Sequence, residues 1–177
     1  MPHADAVLQD DQGRSVLRFE RVLHHSPERV WQALTEAGEL GNWHPTPYEL
    51  EPAPGGAISF GIGGVGPAMA GGEVIEYDPP RVLAHTWGDD LLRWELRRHD
   101  DGCVLVLTHT FDDRFKAARD AAGWHLCLDT LAQSLAGQAP AQQGEGERFP
   151  ADWRTLNATY EQRFGIPPEK ATPPPKM

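Results

Sequence analysis

The chain has 177 residues and a net charge of −10, and 40% of its residues are hydrophobic. This length and composition predict one domain with a real core. The acidic balance, without any basic run, argues against a nucleic-acid partner, because a phosphate backbone would be repelled. No stretch holds the roughly 20 apolar residues of a membrane span, and the N-terminus lacks a signal-peptide pattern, so we expect a cytoplasmic protein.

The first part of the chain predicts a strand, a helix and then a run of strands. Polar residues 1–14 are expected to form a flexible N-terminus. Apolar and polar residues alternate over residues 15–25, which predicts a first strand. Ser26 as N-cap and Pro27 at the first helical position predict a helix. Short strands separated by turn signals over residues 55–111 predict an antiparallel sheet, because such short connections cannot make a parallel crossover.

Two neighbouring strands each divide their residues between two faces, and in the first strand one face is dry and the other wet. Leu92, Trp94 and Leu96 fall on one face of the first strand, and arginine and glutamate residues fall on the other. One face of the next strand carries Cys103, Leu105, Leu107, His109 and Phe111.

A long helix is predicted over residues 121–137. At 100° per residue, Trp124, Leu128 and Leu131 lie on one narrow face together with Leu135, so this stripe must cover something apolar. His125 and Asp129 are one helical turn apart and could pair as a general base, although a surface pair near the helix start is the commoner arrangement.

Three segments follow the long helix. Residues 138–150 are rich in Gly, Pro and Gln and predict a linker. Residues 151–165 predict an additional helix that docks on the domain or on a second subunit, which leaves a homodimer open. Residues 166–177 predict a disordered tail. The apolar face of the additional helix consists of Trp153, Leu156, Tyr160 and Phe164.

Four stretches carry a resemblance to known proteins. They read RVLHHSPERVWQALTEAGELGNW, GGEVIEYDPPRVLAHTW, LLRWELRRHDDGCVLVLTH and GWHLCLDTLAQSLAG. They resemble the prokaryotic branch of the activator-of-Hsp90-ATPase-like family, within the START/Bet v 1-like (SRPBCC) superfamily. The resemblance covers about residues 15–137, and DWRTLNATYEQRFG is similar to an extra C-terminal helix of some bacterial relatives.

The resemblance implies an α+β helix-grip fold over residues 15–137. In that fold a curved antiparallel sheet wraps around a long C-terminal helix and leaves an internal cavity. The side chains predicted to line the cavity are Trp43, Leu83, His85, Trp87, Trp94, Leu105, Leu107, His109, Trp124, Cys127, Leu128 and Leu131. Trp43 is either a gate of this cavity or a plug of the core. The glycine-rich stretch GIGGVGP predicts a flexible hairpin beside the entrance.

His85 and His109 are predicted to face the same interior. They could orient a ligand, exchange protons with a substrate, or bind a metal together with His44. Ligand orientation is favoured, because the chain has neither HxH nor HxxxH spacing, nor a carboxylate next to a histidine pair. Cys103 and Cys127 are interpreted as small buried apolar residues. No metal, cofactor or catalytic residue is predicted.

Three functions follow, in this order. The first is binding of a small hydrophobic or aromatic molecule without catalysis. The alternative is a polyketide cyclase or dehydratase-like enzyme that uses the cavity histidines. The third is a co-chaperone related to Hsp90 activators, which ranks last because the eukaryotic proteins need a separate N-terminal domain and this chain is expected to be too short to carry one.

Overall fold

Eight antiparallel strands form one sheet in the computed structural model, which describes residues 6–60, 71–138 and 148–173. Their order across the sheet is β1-β2-β8-β7-β6-β5-β4-β3, so the second strand of the chain lies beside the last. The strands are β1 (Val7–Asp11), β2 (Arg14–Leu23), β3 (Tyr48–Leu50), β4 (Ala57–Phe60), β5 (Gly72–Asp78), β6 (Val82–Trp87), β7 (Asp90–His99) and β8 (Gly102–Phe111).

Helices occupy the β2–β3 connection and the C-terminal part of the chain. Their bounds are α1 (Pro27–Thr35), α2 (Ala37–Leu40), α3 (Ala117–Leu135) and α4 (Arg148–Phe164), with a short 3₁₀ helix (Arg114–Lys116) before α3. The start predicted for the first helix is confirmed, since the Arg29 N–H donates to the Ser26 hydroxyl at 3.2 Å and Pro27 is the first helical residue.

The long helix α3 packs on the concave face of the curved sheet, so the α+β helix-grip fold is confirmed. Its predicted apolar stripe is buried from Trp124 to Leu135. At the other end of the helix the buried side chains are small, which allows the helix to approach the sheet closely. They are Ala117, Ala118, Ala121 and Ala122.

The dry and wet faces predicted for β7 are confirmed, and the residues predicted to share one face of β8 are all buried, as is Val106 on its other face. Leu92, Trp94 and Leu96 are buried, while their neighbours in β7 are partly or fully exposed. The register places His85 opposite Leu92 and Leu92 opposite His109. The two imidazoles therefore lie in one row across the sheet, and both face the interior as predicted.

The N-terminal segment differs from the flexible terminus predicted for residues 1–14. Residues 7–11 form β1, which pairs with β2 along its whole length, and Ala6 is buried. A two-residue turn joins the strands, with φ of 50° at Gln12 and 85° at Gly13. These positive φ values are those of a hairpin turn whose twist matches the flanking strands, so the polar edge strand is held in place. Residues 1–5 lie outside the described residues.

The C-terminal segments also differ in part from the prediction. The additional helix begins at Arg148 instead of residue 151. In the predicted tail, Ile166 is only 4% exposed and the Thr172 N–H donates to the Phe115 carbonyl at 3.1 Å. An apolar residue two positions after the end of the helix thus holds the following chain against the domain. Most of the predicted linker (139–147), the GIGGVGP stretch and residues 174–177 lie outside the described residues.

Candidate ligand-binding site

A cavity of about 580 Å³ opens between the β6–β7 turn, the first half of α3 and the start of α4. Tryptophan side chains from three elements face it, and charged side chains occupy part of its wall. The lining residues are Pro45, Thr46, Trp87, Gly88, Asp90, His109, Lys116, Arg119, Asp120, Gly123, Trp124, Cys127 and Trp153.

The turn between β6 and β7 brings an indole and a carboxylate together in the cavity wall. The connection is only two residues long, and Gly88 takes a φ of 60° that favours glycine. A turn this short fixes the register, which places Trp87 opposite Asp90. Both residues line the cavity.

One face of α3 supplies a further part of the wall. Lys116 lies at the N-cap of the helix. Asp120 and Trp124 follow at intervals of four residues, so the three side chains lie above one another on this face. Cys127 continues the same face, and burial raises the pKa of its thiol to about 12. The thiol therefore stays protonated and acts as a small apolar group instead of a nucleophile.

The charged groups of the wall neutralise one another. Lys116 Nζ lies 2.5 Å from Asp90 Oδ2 and 3.6 Å from Asp120 Oδ2. Arg119 Nε lies 2.9 Å from Asp120 Oδ1. Burial by itself would raise the pKa of Asp90, but hydrogen bonds from His109 and Lys116 outweigh it and lower that pKa. The two cations and two carboxylates give this part of the wall a net charge of zero, so it carries no excess charge that would attract a charged ligand.

Hydrogen bonds occupy both ring nitrogens of His109. Trp124 Nε1–H donates to Nδ1 at 3.1 Å, so the proton of a neutral ring is on Nε2. Nε2 in turn donates to Asp90 Oδ2 at 2.8 Å. The imidazole thereby holds the Trp124 indole and the Asp90 carboxylate in place, which makes His109 a positioning residue of the cavity wall.

The second predicted histidine is likewise occupied. His85 Nδ1 donates to the Thr86 carbonyl at 3.1 Å, and Nε2 accepts from Trp94 Nε1 at 3.4 Å. Burial lowers the pKa of His85 to about 4, so the ring is neutral at pH 7.

The structure divides the predicted lining residues into two groups. Those on the cavity wall are Trp87, His109, Trp124 and Cys127. Those placed in the core behind it, outside the cavity lining, are Trp43, Leu83, His85, Trp94, Leu105, Leu107, Leu128 and Leu131.

Packing between large rings explains why the interior behind the wall is filled. The Trp94 ring centroid lies 5.7 Å from that of Trp43 and 5.5 Å from that of Trp124, both edge to face. Trp43 has no exposed surface and its Nε1–H donates to the Ala33 carbonyl at 2.9 Å. Trp43 is therefore a plug of the core, and the cavity lies instead beside the β6–β7 turn, α3 and α4.

The fold places two carboxylates beside His109, which the sequence did not predict. Ligand atoms of Asp90, His109 and Asp120 all lie within 4.8 Å of one another, a set that could hold a divalent cation. The ammonium group of Lys116 already contacts both carboxylates. A metal ion would have to displace this resident cation, so the arrangement does not fit a metal centre.

The predicted pair of His125 and Asp129 lies at the junction with α4 and not at the cavity, and His125 is buried there while the Asp129 side chain is 41% exposed. His125 Nε2 lies 3.5 Å from Asp129 Oδ2, and Nδ1 is 2.8 Å from the Tyr160 hydroxyl. The Tyr160 hydroxyl also accepts from the Ala6 N–H at 3.2 Å. This chain of contacts joins α3, α4 and the residue before β1, which is a structural role.

Comparison with known families identifies the chain. A family model described as activator of Hsp90 ATPase homolog 1-like protein matches residues 24–136. The protein belongs to this family. The resemblance stated from the sequence is thereby confirmed for most of the helix-grip domain. No curated protein matches the sequence.

Solved structures share the fold of this family member. The Bordetella parapertussis protein encoded by gene BPP1335 is 31% identical, with a TM-score of 0.67 and 91% of each chain covered. CalU16 of Micromonospora echinospora is 16% identical, with a TM-score of 0.71 over 91% of this chain and 98% of that one. EF2215 of Enterococcus faecalis, a conserved protein of unknown function, is 21% identical, with a TM-score of 0.67 over 89% and 91%. The last two similarities show the fold alone.

Nine of the thirteen lining residues were not among those predicted, and for three of them, Asp90, Lys116 and Asp120, the sequence contains a signal. The two-residue turn in WGDD fixes the position of Asp90, because it places this residue opposite Trp87. Lys116 and Asp120 precede Trp124 at helical spacing, but the helix was predicted to start only at residue 121. Trp153 was assigned to the docking face of the additional helix, and only the fold brings it to the cavity.

The described helices of this family member include none that is long and apolar enough to cross a membrane.

Proposed function

We propose that this protein binds a small aromatic molecule in the cavity and releases it unchanged. The observation that carries the proposal is the convergence of the Trp87, Trp124 and Trp153 indoles on one cavity of about 580 Å³. That volume falls within the range of small-molecule sites, roughly 300 to 1,000 Å³. Indole rings offer apolar faces and edges that pack well against a flat aromatic ligand.

The polar part of the wall supports a neutral ligand. Lys116 is paired with both Asp90 and Asp120, and Arg119 is paired with Asp120. A charged ligand would have to break one of these pairs or enter without a counterion, and both are costly. A neutral aromatic compound meets neither cost.

The hydrogen bonding of the histidines supports binding over the cyclase alternative. Proton exchange with a substrate needs an imidazole nitrogen within hydrogen-bond reach of the reacting group. Both nitrogens of His85 and both nitrogens of His109 are already bonded to protein groups. A substrate would have to displace Trp124 or Asp90 before it reached His109.

Titration with a ligand panel tests the proposal. The panel contains a flavonoid, a polycyclic aromatic ketone and a straight-chain fatty acid, and binding is followed by calorimetry and by tryptophan fluorescence. We expect saturable one-site binding of the aromatic members, and mass spectrometry of the recovered ligand should show no change. Absence of saturable binding by every member would refute binding, whereas conversion of a ligand would favour the enzyme.

A pair of variants on α4 locates the binding site. Trp153→Ala removes one wall of the cavity and is expected to weaken aromatic binding roughly tenfold, through lost apolar contact. Arg154→Ala is the matched control, because Arg154 is exposed on the same helix and does not line the cavity. Equal affinities for the two variants would place the ligand elsewhere.

A further inference from the structure

One carboxylate oxygen in the cavity wall accepts no hydrogen bond from the protein. Both donors that bind Asp90 use its Oδ2, namely His109 Nε2 at 2.8 Å and Lys116 Nζ at 2.5 Å. Oδ1 has no hydrogen-bond partner among the residues that the structure describes, and it is not one of the fully buried atoms that lack a partner. Each oxygen of an ionised carboxylate can accept about two hydrogen bonds, so Oδ1 is an unused and accessible acceptor.

Asp90 lies where a ligand in the cavity can reach it. The residue lines the cavity, and 20% of its side chain is exposed. Because His109 and Lys116 cover Oδ2, the exposed part is the side of Oδ1. The second carboxylate of the lining, Asp120, faces a cation with each oxygen, since Arg119 Nε lies 2.9 Å from Oδ1 and Lys116 Nζ lies 3.6 Å from Oδ2. The open carboxylate oxygen of the wall is therefore that of Asp90.

Two indoles of the cavity lie beside this carboxylate. Trp87 is directly opposite Asp90 in the register of β6 and β7, which places both side chains on the same face of the sheet with Cβ atoms about 5 Å apart. Trp124 is joined to Asp90 through His109, whose ring nitrogens bond to the indole and to Oδ2. The centroids of the two indoles are 6.1 Å apart. An aromatic ring that packs against these indoles therefore comes close to Asp90.

The ionisation of Asp90 decides which ligand group it can bind. Burial raises the pKa of Asp90, but hydrogen bonds from His109 and Lys116 outweigh it and lower that pKa, so the group is a carboxylate at pH 7. A carboxylate accepts hydrogen bonds and donates none. A ligand carboxylate would be repelled, and a cationic amine would face Lys116 and Arg119. A neutral hydroxyl group supplies a donor without charge, and its hydrogen bond to an ionised acceptor is a strong one.

We propose that the ligand of this cavity is a hydroxylated aromatic compound, and that its hydroxyl group donates a hydrogen bond to Asp90 Oδ1. The inference rests on the proposed function and adds the ligand class and the specificity-determining residue. The indoles bind the ring system, and Asp90 selects for the hydroxyl group. His109 and Lys116 hold the carboxylate in place through its other oxygen.

Two probes with the same skeleton separate these contributions. 2-Naphthol and 2-methoxynaphthalene carry an oxygen at the same position of a flat bicyclic ring system, but only 2-naphthol has an O–H donor. Their dissociation constants are measured by calorimetry for the wild type, for Asp90→Asn and for Asp89→Asn. The amide oxygen of Asp90→Asn is expected to accept from His109 and Lys116, which places a donor NH₂ group where Oδ1 was. Asp89→Asn is the matched control, because Asp89 is exposed in the same turn and does not line the cavity.

The decisive quantity is the dissociation constant of 2-methoxynaphthalene divided by that of 2-naphthol. We expect Asp90→Asn to lower this ratio about tenfold, the effect of one hydrogen bond to a charged group, with 2-methoxynaphthalene affinity kept. Asp89→Asn should keep the wild-type ratio. If Asp90→Asn does not fold, the Asp90 Cγ resonance of the wild type decides. It should shift more on binding of 2-naphthol than on binding of 2-methoxynaphthalene, and equal shifts refute the proposal.

Failure of this inference differs from failure of the proposed function. If the wild type binds both probes and Asp90→Asn leaves their ratio unaltered, water satisfies Asp90 Oδ1, and the inference is wrong while the cavity still binds aromatics. A ratio that falls equally in Asp89→Asn would assign the preference to the charge of the turn and would also refute the inference. If the wild type binds neither probe, the proposed function fails and the inference fails with it.

Discussion

Imidazole groups hold the aromatic interior of this protein together through fixed tautomers. His109 carries its proton on Nε2 because Trp124 donates to Nδ1, and His85 carries its proton on Nδ1 because the Thr86 carbonyl accepts it. Each neutral ring thereby satisfies an indole N–H that would otherwise be buried without an acceptor. His109 thereby connects Trp124 to Asp90, and His85 connects Trp94 to the Thr86 carbonyl, so the positions of the two histidines affect the shape of the aromatic interior.

Acid is expected to destabilise the protein through His44 and His85. Burial lowers their pKa values to about 3 and about 4, from the ordinary value of 6.5. Between pH 6.5 and pH 4 the unfolded chain binds protons that the folded chain excludes, so the free energy of unfolding falls as the pH falls. The expected slope is about 3 kcal/mol per pH unit, half of it from each histidine. Urea denaturation across this range measures the slope.

His44→Phe provides the test of that assignment. Removing one of the two groups should reduce the slope by about 1.4 kcal/mol per pH unit. His99→Phe is the control, since His99 is exposed and should leave the slope at the wild-type value. A slope that is the same in all three proteins would assign the acid sensitivity to other groups.

Zinc is expected to leave the melting temperature of the wild type unchanged. The Lys116 ammonium already contacts Asp90 and Asp120 beside His109, and a metal ion would have to displace it. In Lys116→Met the three ligand groups lose this cation, so zinc should raise the melting temperature, through a stabilisation of about 2.7 kcal/mol at 100 times Kd. Lys116→Arg retains the cation and should behave as the wild type. A zinc response of the wild type would show that Lys116 does not block the position.

At the level of elements, α4 links both ends of the chain to α3. The Tyr160 ring stacks on Phe164 at 5.3 Å, and both side chains belong to the hydrophobic core. Through its hydroxyl, Tyr160 contacts His125 of α3 and the Ala6 N–H beside β1. Earlier in the same helix, Trp153 reaches the cavity. The helix therefore supports the fold at one end and forms part of the cavity wall at the other.

Tyr160→Phe tests the hydrogen bonds of this junction while keeping its packing. Loss of the hydroxyl removes the shared partner of His125 Nδ1 and the Ala6 N–H, and is expected to lower the free energy of unfolding by about 2 kcal/mol. Tyr77→Phe, on β5 and away from α4, is the matched control and should cost less. Chemical denaturation measures both. If both substitutions lowered the free energy of unfolding equally, the hydrogen bonds of the junction would add nothing to the stability that its packing provides.

For the whole molecule, the core extends beyond the helix-grip domain. Ile166 and Ala171, which follow α4, pack with the residues of the sheet and of α3. The family match ends at residue 136, so α4 and the chain after it lie outside the matched region but share its core. A shared core predicts one cooperative unfolding transition for all parts.

Truncation after residue 138 is expected to lower the melting temperature of that single transition. It removes three buried side chains, Tyr160, Phe164 and Ile166, each worth about 1.5 to 3 kcal/mol in gross transfer free energy. The ordering of α4 offsets part of this gain. Truncation after residue 173 is the control and should leave the transition unchanged. Two separate transitions in the full chain, or equal melting temperatures, would contradict a shared core.

The sequence by itself determined the local elements and the faces they bury. Period-two alternation in β7 and β8, helical spacing in α3 and the Ser26 cap were all readable, because each depends on residues near one another in the chain. The family and its helix-grip fold were also evident, from matching stretches of sequence. The inward direction of His85 and His109 followed from strand alternation alone.

Only the tertiary structure decided where the cavity lies. Its wall joins Asp90 of a turn, His109 of a strand, Lys116 beside a helix and Trp153 of the added helix, and no local pattern relates these positions. The predicted deep lining, such as Trp94 and Leu107, became core because neighbouring rings fill that space. Alternation predicts which face of a strand a side chain occupies. A cavity depends instead on the volumes of all the side chains around it, and these come together only when the chain has folded.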